Sequence, residues 1–168
     1  MSELLSRLVD QIVSLRRRVG ALESVEMALR TGQGCRVYNN ADQTIPQATW
    51  TALSFNTVYY DYDDCWSSSY PTRLTCQTSG LYIITGHVRW AANSNGERIM
   101  GIYKSDGVGY ATCGQLPVPS QTRMSIATIL PLQAGEYVIL QVYQTSGGDL
   151  AVISALSQSP IFAMARIG

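Results

Sequence analysis

The single histidine, His87, is the residue best suited to acid–base chemistry near neutral pH. It lies two positions before Arg89 in an apolar stretch, so a general-base role is conceivable. A histidine satisfied by hydrogen bonds or placed at an interface is the favoured alternative. The sequence contains no GxSxG, HExxH or phosphate-binding glycine motif. We therefore predict that the protein is not an enzyme.

Three aspartates, Asp61, Asp63 and Asp64, offer the carboxylate oxygens that calcium prefers. The glycine and the distal glutamate of a complete calcium loop are missing, so a solvated acidic turn is favoured over a metal site. We expect no cofactor, and calcium at these aspartates is the one weak metal candidate.

Four cysteines, Cys35, Cys65, Cys76 and Cys113, form no CxxC pair and have no zinc-finger spacing with a histidine. Metal binding through them is not expected. The chain starts with a charged, periodic segment instead of an export signal, which favours free buried thiols over two disulfides.

A dense group of amphipathic rings follows residue 58. Tyrosine and tryptophan provide large contact areas at low entropic cost and can stack on sugars or on protein surfaces. Packing of these rings against the rest of the chain or a neighbouring subunit is the favoured interpretation, and the alternative is a ligand-contact loop for a cell-surface glycan or protein receptor. The candidate residues are Tyr59, Tyr60, Tyr62, Trp66 and Tyr70.

Length and charge limit the function classes. The 168 residues fit a single domain of ordinary size, and the formal net charge is zero. Lys104 is the only lysine, so the broad positive field that nucleic acid or an anionic membrane requires is missing. We expect neither nucleic-acid binding nor membrane insertion.

The N-terminal residues carry a heptad pattern, with apolar positions at alternating spacings of three and four. This pattern predicts a coiled-coil helix over residues 1–30, interpreted as a trimerising or anchoring element, and the alternative is an amphipathic helix folded back on its own domain. Because β-branched Ile12 and Val19 alternate with leucines in a way that favours dimers, the helix alone leaves the number of strands in the coiled coil open. The seam residues are Leu5, Leu8, Ile12, Leu15, Val19 and Leu22. A glycine-rich linker is predicted at residues 31–35.

From residue 36 to residue 168 the apolar period changes to two, and short turn motifs separate the segments. The pattern predicts a mainly β head with ten antiparallel strands. They are expected at residues 36–38, 49–55, 74–76, 81–90, 98–104, 109–112, 123–130, 137–144, 152–155 and 161–167.

Several of these strands are apolar on both sides, among them residues 81–90 and 137–144. A sandwich needs only one buried side per strand, so the second side predicts cover by neighbouring subunits. Which side faces the core and which faces the subunits is left open. The candidates for the trimer interface are Leu81, Ile83, Tyr137, Ile139 and Tyr143, with Tyr82 as the alternative to its neighbours on the opposite side.

Four blocks of the head carry a family resemblance. They are Trp50–Phe55, Ser79–Ile84, Leu132–Leu140 and Ser159–Ile167, and their order and spacing fit. The head resembles the globular heads of the complement C1q and tumour necrosis factor type. This resemblance implies a ten-stranded jelly roll that assembles as a homotrimer. A coiled coil replaces the collagen-like stalk of the complement proteins, and Glu136 stands where aspartate is more usual.

A second set of residues is similar to stand-alone heads of bacteriophage and bacterial proteins. It consists of Val37–Asn40, Ile45–Pro46 and Trp50–Leu53. The similarity implies a virion fibre, spike or decoration protein that is made in the host cytoplasm, anchored through its stalk and active in host attachment. The alternative is a secreted or surface-displayed head that binds a ligand.

Overall fold

The structure, a computed structural model, describes residues 2–30, 33–155 and 158–167, and it describes helical side chains from residue 5 to residue 23. The chain divides into two compact units, Met1–Gln33 and Gly34–Gly168. Residues 31 and 32 of the predicted linker lie outside the described residues. The last two residues of that linker, Gly34 and Cys35, belong to the first strand.

The first unit is the helix α1, Ser2–Arg30. No proline interrupts it, in agreement with the predicted helical segment. The six seam residues are exposed by 43–68% in one copy of the chain. Contact with a partner that covers this apolar stripe would stabilise the helix.

In the second unit, the described residues form twelve strands. The strands are β1 Gly34–Tyr38, β2 Gln43–Ile45, β3 Thr51–Ala52, β4 Thr57–Asp61, β5 Arg73–Thr75, β6 Gly80–Arg89, β7 Arg98–Lys104, β8 Gly109–Gln115, β9 Arg123–Leu132, β10 Tyr137–Gln144, β11 Leu150–Val152 and β12 Ile161–Arg166.

Two antiparallel sheets face each other as a jelly-roll sandwich. Sheet I has the order β4-β1-β12-β6-β9, and sheet II has the order β3-β10-β7-β8 with β5 also paired to β10. The short strands β2 and β11 form a separate pair. Because the last strand, β12, lies between β1 and β6, the two ends of the head are tied into the centre of sheet I.

The core lies between the inner faces of the two sheets. Tyr82 and Ile84 of β6 and Leu140 of β10 are fully buried, and each such side chain contributes about 1.5–3 kcal/mol of hydrophobic free energy. Gly86 leaves room for the facing sheet, because a Cβ atom there would lie 2.6 Å from the Cδ1 atom of Leu140. Because side chains alternate along β6, the residues between these buried ones point to the outer face of the sheet.

The strand pattern differs from the prediction at several strands, and the strand expected at residues 152–155 lies at Leu150–Val152. Two strands, β2 and β4, were not predicted, because β2 is only three residues long and β4 was assigned to the aromatic loop. The predicted strand at residues 49–55 shortens to Thr51–Ala52. Among the described residues there are therefore twelve strands where ten were expected.

Glu136 has a defined role in the turn before β10. Its Oε2 atom accepts a hydrogen bond from the Gln133 backbone N–H at 2.8 Å, and its Oε1 atom accepts one from Lys104 Nζ at 2.9 Å. These interactions lower the pKa of the Glu136 carboxyl. The glutamate thus closes the turn and pairs with the only lysine of the chain.

Candidate functional site

The outer face of sheet I carries an apolar surface. We call it the sheet I face: the side chains of β1, β12, β6 and β9 that point away from the core. Leu81 and Ile83 on β6 are exposed by 41% and 36%, and Ile129 on β9, the cross-strand partner of Ile83, by 54%. Adjacent apolar side chains in water are typical of a contact surface.

The same face has a polar part around an open depression of about 540 Å³. His87 lies here, and its Nδ1 atom is 2.9 Å from the hydroxyl of Ser125 on β9. Burial lowers the pKa of His87, and the positive charge of Arg123 lowers it further. The imidazole is therefore held in its neutral form near pH 7.

The depression lacks the acid that nucleophilic catalysis through a serine and a histidine normally requires. Its lining, within the described chain, contains no carboxylate and no thiol. The pair formed by Ser125 and His87 is thus a hydrogen-bonded pair on a sheet surface. The lining residues are Arg36, Tyr60, Thr85, Gly86, His87, Ser125, Ile126, Ala127, Ile161 and Ala163.

The outer face of sheet II, called the sheet II face, is partly covered by side chains of its own chain, and Trp50, which lies over it, is itself 41% exposed. The Trp50 ring lies 5.4 Å from the Tyr143 ring and 5.7 Å from the Tyr103 ring, measured between centroids. The guanidinium of Arg73 lies 4.5 Å from the centre of the Tyr137 ring.

The five residues predicted for the trimer interface lie on two different faces. Leu81 and Ile83 lie on the sheet I face. Tyr137, Ile139 and Tyr143 lie half-buried on the sheet II face. The alternative residue, Tyr82, is fully buried in the core.

The aromatic residues predicted as one ligand-contact loop are divided between a strand and a loop. Tyr59 and Tyr60 lie on β4, at the edge of sheet I, and Tyr62 follows that strand. Tyr60 stacks on Tyr62 at 5.3 Å. Tyr59, Tyr62 and Tyr70 are exposed, while Trp66 packs against the core.

Arginines hold two of the exposed tyrosines. Arg36 lies 5.1 Å from the centre of the Tyr59 ring, and Arg73 lies 3.8 Å from the centre of the Tyr70 ring. Cation–π contacts of this kind orient a ring without burying it. Tyr59 and Tyr70 are thus each in contact with an arginine and still exposed to solvent.

The acidic turn is built around Asp61. Its two carboxylate oxygens accept hydrogen bonds from the backbone N–H groups of Cys65 and Trp66, each at 2.9 Å. Burial and the negative charge of Asp61 raise the pKa of Asp63. Asp64 adopts a left-handed backbone conformation with φ of 52°. Asp61 thus stabilises the turn through backbone contacts.

One group of possible metal ligands was missed by the sequence reasoning. Among the described residues, three or more such ligands come together only where a carboxylate oxygen of Asp61 and the Sγ atoms of Cys35 and Cys65 lie within 4.8 Å of one another. Asp63 and Asp64 are not part of this group. The spacing of residues 35, 61 and 65 gives no recognisable motif, because the pairing of β1 with β4 creates the proximity.

All four cysteines are free thiols, which agrees with the favoured prediction. Cys35, Cys65 and Cys76 are buried as expected, whereas Cys113 on β8 is only half-buried. A hydrogen bond with the Cys65 thiol, together with burial, raises the pKa of Cys35. Without a bound cation, the Cys35 thiol is therefore neutral.

None of the helices among the described residues has the length and apolar character that crossing a membrane requires.

No protein-family model and no curated protein matches the sequence. Solved structures do match the head. An Eiger TNF from S. frugiperda has a TM-score of 0.63 at 10% identity over 82% of this chain and 93% of that one. The globular domain of zebrafish complement 1qA has a TM-score of 0.57 at 17% identity, covering 81% and 98%. Murine APRIL has a TM-score of 0.63 at 8% identity, covering 81% and 99%. The head therefore has the jelly-roll fold of TNF and C1q globular domains.

Proposed function

We propose that this chain is a non-enzymatic, homotrimeric structural or attachment protein whose heads associate through the sheet I face. The observation that carries the proposal is the exposure of Leu81, Ile83 and Ile129 on one side of the same sheet. Burial of such side chains contributes roughly 25 cal/mol per Å² of apolar area. The fold shared with TNF and C1q domains supports self-association of the head.

The helix fits the same assembly. Its exposed leucines, isoleucine and valine repeat with heptad spacing, so three parallel helices would cover each other's apolar stripes. The stalk then acts as the trimerising and anchoring element. Three copies of any contact on the head would strengthen attachment through avidity.

The biological setting that we propose is a phage virion. The residues Val37–Asn40 and Trp50–Leu53, which resemble stand-alone phage heads, support a fibre, spike or decoration protein. In this setting the stalk binds a larger particle and the head faces outward to attach to the host. Co-purification of the protein with virus particles would support this setting, and its absence from purified particles would exclude it.

A second candidate is a secreted or surface-displayed head that binds a glycan or a protein receptor. The exposed tyrosines Tyr59, Tyr62 and Tyr70 favour it, because exposed rings are suited to stacking on a ligand. Arginines contact Tyr59 and Tyr70, and Tyr62 stacks on Tyr60. Binding of the protein to a glycan array, with loss of the signal in Tyr62→Ser, would promote this candidate. A wild-type protein that binds no glycan and no cell surface would remove it.

The assembly is tested by the solution mass of the full chain and of a version that lacks residues 1–32. We expect a trimer for the full chain, and a trimer for the shortened chain at sufficiently high concentration, because the sheet I face alone drives association of the heads. A stable, folded monomer of the full chain in analytical ultracentrifugation would overturn the proposal. A trimeric full chain with a monomeric head would assign assembly to the helices.

A further inference from the structure

We propose that Cys35, Asp61 and Cys65 form a binding site for a thiophilic divalent cation of the zinc class. The Sγ atoms of the two cysteines and a carboxylate oxygen of Asp61 lie within 4.8 Å of one another. This site is independent of trimer formation and of the attachment function.

Three separate backbone features position the three ligands. Cys35 of β1 is the antiparallel partner of Asp61 at the end of β4, so the register of the sheet places these two side chains next to each other. On its other side, Cys35 is paired with Met164 of β12, which fixes β1 in the middle of sheet I. The position of Cys35 is therefore determined by two strand pairings.

Cys65 is brought back to the same place by a tight turn. The turn contains only Tyr62, Asp63 and Asp64, and the Asp61 carboxylate closes it by accepting hydrogen bonds from the N–H groups of Cys65 and Trp66. A third hydrogen bond reinforces the segment, because the Thr75 N–H donates to the Cys65 carbonyl at 2.7 Å. Cys65, the third ligand, thus lies in a loop that hydrogen bonds hold in place.

The separations suit a tetrahedral ion. Zinc binds thiolate sulfur at about 2.3 Å and carboxylate oxygen at about 2.0–2.2 Å, so neighbouring ligand atoms in a tetrahedral site are about 3.6–3.8 Å apart. The present upper limit of 4.8 Å requires the side chains to close by no more than about 1 Å. Rotamer adjustments of two cysteines can supply that movement.

The donor set selects the class of ion. Two thiolates favour zinc and other thiophilic ions, whereas calcium and magnesium prefer sites made only of oxygen. The two cysteines are buried and Asp61 is half-buried, so the carboxylate marks the side from which an ion and a water ligand can approach. Three protein ligands leave the fourth tetrahedral position to that water.

The electrostatics are compatible with a bound cation. Two thiolates and one carboxylate carry three negative charges, which a divalent ion reduces to one. Arg166 on β12 lies close enough to the neighbouring Asp63 for its positive charge to act there, so a cationic side chain is also present at this end of sheet I. Binding releases the thiol protons, and affinity should therefore rise with pH.

Cobalt titration of the full-length chain, reduced and freed of metal, tests the site directly. We expect one Co²⁺ per chain, with sulfur-to-cobalt charge-transfer absorption and the visible bands of a tetrahedral ion, and displacement of cobalt by Zn²⁺. Cys65→Ser should lower Zn²⁺ affinity at least about 100-fold, and Asp61→Asn about 10-fold. Cys113→Ser is the matched control, because this half-buried thiol lies on β8 in sheet II, and it should bind Zn²⁺ like the wild type.

The wild-type spectrum needs no substitution, so it decides the question even where a variant fails to fold. A reduced wild-type chain that gives no charge-transfer band would overturn the proposal. So would an equal loss of affinity in Cys113→Ser, or unchanged affinity in Cys65→Ser with a native circular-dichroism spectrum. Recovery of a peptide containing a Cys35–Cys65 disulfide from the freshly purified protein would replace the metal site by a redox pair.

Discussion

The two outer faces of the sandwich look alike in sequence but differ in the folded head. Strands β6 and β10 both alternate apolar or aromatic residues on their two sides. On the sheet I face, Leu81 and Ile83 remain exposed. On the sheet II face, Trp50 and Arg73 cover Tyr143 and Tyr137. An apolar second side is therefore not sufficient to indicate a subunit contact, because the same chain can cover it.

The difference follows from what surrounds each sheet. The short strand β3 pairs with β10 at the edge of sheet II, and the residue before it, Trp50, lies over the outer side of that sheet. Sheet I has β9 as an edge strand, where Ile129 remains in water. We infer that the sheet II face is partly covered within one chain by Trp50, which itself remains 41% exposed, whereas the aliphatic side chains of the sheet I face need a second copy to cover them.

The largest effect that separates the two faces is expected from Ile83→Arg. Three copies of a charged side chain inside an apolar interface would carry a desolvation cost of several kcal/mol. We expect the trimer to weaken more than 100-fold in sedimentation equilibrium, while the head keeps its β circular-dichroism spectrum, because Ile83 is already exposed in one chain.

The matched control is Ile139→Arg. It makes the same isoleucine-to-arginine change in the middle of a strand, but on the sheet II face. It should preserve the trimer and lower the melting temperature. The roles of the two faces would be reversed if Ile139→Arg dissociated the trimer and Ile83→Arg left it intact.

A smaller effect is expected from Tyr143→Lys. This substitution removes the ring contact with Trp50, and such a contact contributes about 0.5–1.5 kcal/mol beyond its area. We expect a lower denaturant midpoint with an unchanged trimer mass below the unfolding transition. Loss of the trimer with full retention of sheet content would place Tyr143 at a subunit interface and contradict the distinction between the faces.

The smallest expected effect is a dependence of the free energy of unfolding on pH, caused by His87 on the sheet I face. The pKa of His87 is lowered in the folded chain by burial and by Arg123, so the unfolded state binds the proton more readily. Stability should therefore fall as pH decreases through about 6.5, the value in the unfolded chain, and level off below the folded pKa. His87→Gln should flatten this dependence in melts between pH 5 and 8, and an unchanged slope would show that other groups cause it.

Much of the fold could be predicted from local patterns. The heptad spacing predicted α1, and a period of two, together with turn residues, predicted most strands of the head. Gly135 illustrates why this works, because its φ of 90° in the turn before β10 is a conformation that its residue type favours. Strands β2 and β4 were missed because their pairing partners, rather than their own residues, make them strands.

The candidate site was predictable only in parts. Leu81 and Ile83 could be named as interface residues, but their separation from Tyr137, Ile139 and Tyr143 could not, because burial of a strand side depends on residues distant in sequence. The cysteine and aspartate group was missed for the same reason. Cys35 meets Asp61 through strand pairing, a contact that spans 26 positions of the sequence.

By itself, the sequence determined the local periods, the turn positions and the balance of charge, because these depend on neighbouring residues. It thereby determined a helix followed by a β head with little acid–base chemistry. Only the tertiary structure decided which apolar side remains in water, which tyrosines are exposed and which thiols meet a carboxylate. Each of these depends on how sheets stack and which strands pair, and such contacts join residues that no local pattern connects.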